Sequence, residues 1–156
     1  MTAQAAIRFD PQDPDYAARV RASFARQAAM RLIGAELGAV EPGVCEIVLA
    51  WRADLTQQKG YVHGGIVGMI ADSACGYAAY SLMPASASIL TVEYKINLLA
   101  PAHCGTLVAR GEVVRPGRTL SVTRGEVVVR DQRRSRLVAT IQQTLMMLPE
   151  TPDTPE

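Results

Sequence analysis

The chain has 156 residues and a mass of 16.8 kDa, the length of one domain and too short for two ordinary ones. Apolar residues make up 49% and charged residues 20%, which excludes a disordered chain, and a net charge of +1 gives no global signal for nucleic acid or an acidic membrane surface. Cys45, Cys75 and Cys104 are far apart and odd in number, which excludes a disulfide scaffold and a CxxC metal site and fits a reducing, cytoplasmic compartment. No signal peptide, membrane span, metal or cofactor is expected from the pattern.

In chain order, 1–16 carries Pro11, Pro14 and three Asp and reads as a flexible N-terminal segment. Residues 17–148 read as one domain. It opens with a helix from Ala17, with Val20, Phe24, Met30 and Ile33 near helical spacing and Gly34 as its stop. Glu41-Pro42-Gly43 marks a turn, and Val44 to Trp51 reads as a strand. Gly64 to Leu82 is a second helix, apolar nearly all the way round and therefore expected to be buried. Thr91, Glu93, Lys95 and Asn97 then alternate with Val92, Tyr94, Ile96 and Leu98, the period of a strand. Strands follow over Thr106 to Val114, Leu120 to Arg130 and Arg136 to Leu148, with turns between them. The tail 149–156 has three prolines in eight residues and is expected to be disordered. The whole predicts an α+β domain of five or six antiparallel strands around a central helix.

One segment carries chemistry. Gly64-Gly65 opens the central helix, where the first N–H groups have no internal partner and the dipole end is positive. Such an end can stabilise a carbonyl oxygen or a developing oxyanion, although a glycine turn entering a helix has the same appearance. Asp72 is the only acid between Asp54 and Glu93 and sits in an apolar helix with no Lys or Arg within a turn. A lone carboxylate there is costly unless it is used, hydrogen-bonded locally or reached by solvent. Eight residues separate Gly64 from Asp72, about 12 Å along a helix. One reacting carbonyl needs both groups within about 3 Å. One copy of the helix cannot supply them, whereas two antiparallel copies across a two-fold axis can. His63 has no acidic partner nearby in sequence, and a role in orienting the turn suits it better than general-base catalysis.

These pieces together resemble the hot-dog-fold acyl-CoA thioesterases of the PaaI-like, phenylacetate-degradation type. The matching residues are Gly34-Ala35-Glu36-Leu37, Val62-His63-Gly64-Gly65, Asp72, Thr91-Val92-Glu93-Tyr94, Leu99-Ala100-Pro101-Ala102 and Gly117-Arg118-Thr119-Leu120. The resemblance implies a helix wrapped by an antiparallel sheet, homodimers or homotetramers, and metal-free hydrolysis of an acyl-CoA thioester. It implies Asp72 as base or nucleophile, the Gly64 amide as carbonyl polariser, and Gln57 and Thr91 as helpers of the water or thioester. His63 and Gly65 fall at the substrate-binding bend. Residues 110–136 hold eight Arg against three acids, a local +5 suited to CoA phosphates or, alternatively, to solvated strand edges. Arg115, Arg118 and Thr119 lie where the family's CoA-side turn falls. A non-hydrolytic acyl-CoA or acyl-carrier binding module is the alternative reading, and a dehydratase or hydratase is a weaker third.

Overall fold

The computed structural model describes residues 9–131, 134–151 and 153–154. Two short helices, α1 (Tyr16–Arg26) and α2 (Ala28–Ile33), stand where the sequence predicts one. The chain turns extended at Gln27 (φ −68°, ψ 99°), which lets α1 bury Val20 and Ser23 and lets α2 bury Met30 and Ile33. No Gly or Pro marks the break, so the pattern alone does not reveal it. Gly34, at φ 72°, closes α2 in the left-handed conformation that glycine adopts freely.

Six strands follow: β1 (Glu36–Glu41), β2 (Val44–Ala50), β3 (Ser88–Leu98), β4 (Thr106–Arg115), β5 (Leu120–Arg130) and β6 (Ser135–Leu148). They form one antiparallel sheet in the order β1-β2-β4-β5-β6-β3. The long helix α3 (Gly64–Tyr80) enters between β2 and β3 and packs across the sheet. Gly111 and Gly125 are paired across β4 and β5 under the helix. A Cβ on Gly111 would lie 2.5 Å from the backbone of Ala74 and Cys75, so the bare glycine lets α3 seat close.

The helix is less enclosed than its composition predicts. Ile70, Ala71, Ala74, Cys75 and Ala78 are buried against the sheet. Gly65 is exposed, and Met69, Asp72, Ser73 and Gly76 are only half-buried. A face of small and apolar residues is therefore left uncovered by the chain's own sheet. Strand β3 is likewise open. It is an edge strand, and Leu90, Val92, Tyr94 and Leu98 are each about half exposed, at 47–55%.

The expected alternation along β3 is broken. Thr91 pairs with Leu145 but Glu93 with Thr144, so Val92 is the extra residue of a β-bulge. The bulge shifts the phase. Thr91 now shares the helix-facing side with Tyr94, Ile96 and Leu98, instead of with Glu93 and Lys95.

Of the segments expected to be flexible or disordered, 1–16 and 149–156, residues 1–8, 152 and 155–156 lie outside the described residues. From Phe9 on the chain packs: Phe9 touches the core, and Arg19 pairs with buried Asp13 while donating to the carbonyls of Tyr80 and Met83. At the other end Arg26 donates to the Asp153 carboxylate at 2.8 Å.

Candidate active site

The entry to α3 is held by backbone. Val62 donates to Ala102 O at 2.8 Å and His63 to Leu55 O at 2.9 Å, which fixes the bend before the helix. His63 is the N-cap, and its Nδ1 accepts from the Gly65 N–H at 2.9 Å. The Ile66 N–H goes back to His63 O. Gly64 alone of these first amides has no hydrogen-bond partner among the described residues. The imidazole thus caps one orphan donor and leaves its neighbour, at the positive end of the helix, available.

Two and a quarter turns on, Asp72 is tied from two strands. Thr91 Oγ1 on β3 donates to Asp72 Oδ1 at 2.8 Å, and Gln143 Nε2 on β6 donates to the same oxygen at 2.5 Å. Gln143 Nε2 also donates to Thr91 Oγ1 at 2.8 Å, closing a three-membered ring of side chains. Both lone pairs of Oδ1 are then used, while Oδ2 has no partner among the described residues. Asp72 makes no ion pair there either.

Beside the carboxylate runs an open groove of about 380 Å³ lined by Ser23, Gln27, Ser73, Gly76, Tyr77 and Leu90. It continues toward the C-terminal segment, where Asp153 forms part of its wall. Ser23 and Tyr77 share a 3.1 Å hydrogen bond along it. Burial pushes the Tyr77 hydroxyl up to about 12, so it stays protonated at neutral pH.

The other expected residues separate. Gln57 opens a tight turn, donating its N–H to Tyr61 O at 2.8 Å, while its Oε1 accepts from the Lys59 N–H. Its amide nitrogen is left without a partner among the described residues. Arg115, Arg118 and Thr119 form the exposed tip of the β4–β5 hairpin, where Thr119 O accepts from the Met147 N–H. That tip sits level with the C-terminal end of β6, four residues or about 13 Å along the strand from Gln143. Gly64 lies toward the opposite end, against Leu98. The chain therefore does not bring this hairpin to Gly64.

The single basic patch read from the sequence is dispersed. Arg110 pairs with Glu46 and Arg124 with Glu112. Arg136 donates to Pro101 O at the far end of the sheet, and Arg133 lies outside the described residues. Gln143 was not expected. Its signal is present in β6, where Ala139, Ile141, Leu145 and Met147 alternate inward and Gln143 is the polar exception.

No helix among the described residues is long and apolar enough to cross a membrane, and no three His, Cys, Asp or Glu side chains among them are grouped to hold a metal ion. The family model described as Thioesterase superfamily matches residues 59–135, a span holding His63, Gly64, Asp72 and Thr91. A thioesterase family protein from Silicibacter pomeroyi is 46% identical in sequence, with a TM-score of 0.84 over 86% of this chain and 98% of that one. The PaaI protein of the E. coli phenylacetic acid degradation operon shares the fold (TM-score 0.78, 21% identity, 88% of this chain and 96% of that one). The 1,4-dihydroxy-2-naphthoyl-CoA hydrolase of Listeria monocytogenes is 28% identical over 90 residues, 58% of this chain and 73% of that protein. On the strength of a 46% identical relative spanned almost end to end, and of a family model that runs through the helix bend and its carboxylate, the chain belongs to the thioesterase superfamily, the hot-dog-fold thioester hydrolases.

Proposed function

We propose that this protein hydrolyses acyl-CoA thioesters to free acid and CoA, at sites that two copies of the chain share. The observation that carries the reading is the state of Asp72. One oxygen is saturated by Thr91 and Gln143, and the other is unpartnered beside an open groove. That is the arrangement a general base needs: a fixed carboxylate with one oxygen free to accept. The complementary group is the Gly64 N–H, left free while its neighbour is capped by His63.

In this reading the thioester oxygen accepts from the Gly64 N–H of one copy. Asp72 Oδ2 of the other takes a proton from water as the water oxygen bonds to the carbonyl carbon. Collapse of the tetrahedral adduct breaks the C–S bond, and the CoA sulfur leaves as a thiolate that takes up a proton. Gln57, on the turn before the bend, has a free amide to direct toward water or thioester. The acyl group takes the groove beside Asp72, and Arg115 and Arg118, which have no partner among the described residues, suit the phosphates of the nucleotide. The apolar edge strand β3 and the half-open face of α3 support pairing with a second copy, since a long apolar edge is rarely left bare. Three free cysteines suit a reducing, cytoplasmic setting.

The test is release of free thiol from a panel of aryl, short-chain and medium-chain acyl-CoA esters, run beside Asp72→Asn. Turnover that needs Asp72 bears the reading out. Binding of the panel without thiol release would instead make the protein a ligand-binding module.

A further inference from the structure

We infer that Gln143 is the positioning residue of the site: it holds Asp72 and Thr91 in register, so that one carboxylate oxygen alone faces the reacting water. This rests on the thioesterase reading above and extends it to a side chain that touches neither water nor substrate.

Gln143 is 1% exposed and lies in the middle of β6, between Thr123 on β5 and Tyr94 on β3. Its amide nitrogen has two hydrogens. One goes to Asp72 Oδ1 and the other to Thr91 Oγ1. Thr91 has a single hydroxyl hydrogen, which it gives to Asp72 because the Gln143 amide supplies what its oxygen accepts. The amide therefore sets the direction of every hydrogen bond in the ring. It orients the threonine as a donor and fills the second lone pair of Oδ1. Without it the hydroxyl could rotate and either carboxylate oxygen could turn inward.

The same residue has a cost. Its Oε1 is buried and has no hydrogen-bond partner among the described residues. A buried amide oxygen left without a donor is destabilising, and such groups call for an explanation. The strand offers apolar neighbours on the same inward row, Ile141 and Leu145, so packing alone would favour an apolar residue here. A polar side chain at fold-level expense, aimed at the one carboxylate of the helix, is accounted for by what it does to that carboxylate.

The experiment is steady-state thiol release by Gln143→Met, which keeps the length and shape of the side chain, with Gln143→Leu as a second variant should the first fold poorly. Each is made alone and on an Asp72→Asn background. The expectation is a loss of kcat of about 10- to 100-fold, the range for hydrogen bonds to a charged group. KM should stay within about twofold and the melting temperature should be unchanged or higher, because the orphan oxygen is gone. On the Asp72→Asn background the substitution should cost nothing further, since Gln143 acts only through that carboxylate. Near-normal kcat in Gln143→Met, with Asp72→Asn inactive, overturns the Gln143 role alone. A loss that recurs in full on the Asp72→Asn background, or that tracks a lowered melting temperature, overturns it in favour of a packing role. Full turnover in Asp72→Asn by itself overturns the thioesterase mechanism and this inference with it.

Discussion

The two places on α3 that we propose as functional are built by opposite means. At the N-terminus the proposed working group is a backbone amide, and its capping lies within three residues, with His63 as cap, Gly65 as its donor and Gly64 left over, while Leu55 and Ala102 hold the bend. At Asp72 the proposed working group is a side chain, and what shapes it comes from β3 and β6, 19 and 71 residues away in sequence. A helix end is electrostatically prepared by its own geometry. A carboxylate in an apolar helix is not, and needs neighbours that only the folded sheet can bring.

The largest effect expected on breaking this pair is at the side-chain end. Asp72→Asn removes the proposed base and should lower kcat by about 10² to 10⁴, the range for a lost general base, with the circular dichroism spectrum unchanged. At the backbone end, Gly64→Pro deletes the N–H without breaking the helix. Proline is favoured at the first helical position, and His63 already has the extended ψ of 135° that a following proline requires. The new ring would meet Leu98 Cδ1, where even a Cβ comes within 2.6 Å, so the substitution is made with Leu98→Ala, and Leu98→Ala alone is the control. The expected loss in kcat is about 10² to 10³, as for one oxyanion donor.

Smaller effects sharpen the contrast. Thr91→Ala leaves Gln143 on Asp72 and should cost kcat about tenfold with KM little changed, measured by thiol release. His63→Ala removes a helix cap. It should lower stability by about 1 kcal/mol and the melting temperature by roughly 2–4 °C, while Gly64 keeps its amide and most of the activity. A chemical check of the core needs no substitution. Burial pushes the Cys45 and Cys75 thiols up to about 12, so of the three thiols only exposed Cys104 should react quickly with a disulfide reagent in the native protein.

The same contrast explains what the sequence makes legible. The helix bend is local, and its glycines, its cap and its distance from Asp72 can all be read by counting. The strands of the C-terminal half are long and regular enough that their limits fall within a few residues of those observed. Two features escape. The bulge at Val92 reverses the face on which Thr91 lies, and the strict alternation of 91–98 gives no hint of it, because a bulge is decided by pairing with β6. Gln143 escapes because one polar residue in an apolar row gains meaning only when the opposite wall is known to hold a carboxylate. The break at Gln27 belongs with these, set by which faces of α1 and α2 reach the core. The run of arginines misleads in the other direction: neighbours in sequence, they diverge along three strands, and two of them are spent on Glu46 and Glu112.

In the proposed pair, each site takes its amide from one copy and its carboxylate from the other. The most direct measurement mixes the two inactive proteins, Asp72→Asn and Gly64→Pro with Leu98→Ala, by co-refolding in equal amounts. Half of the resulting pairs are mixed, and each mixed pair holds one intact and one doubly defective site. With shared sites, thiol release recovers to about a quarter of the activity of the unsubstituted protein, because the intact site takes Gly64 and Leu98 from the Asp72→Asn chain. No recovery, in a sample shown to contain mixed pairs, would contradict it and place the whole site within a single chain.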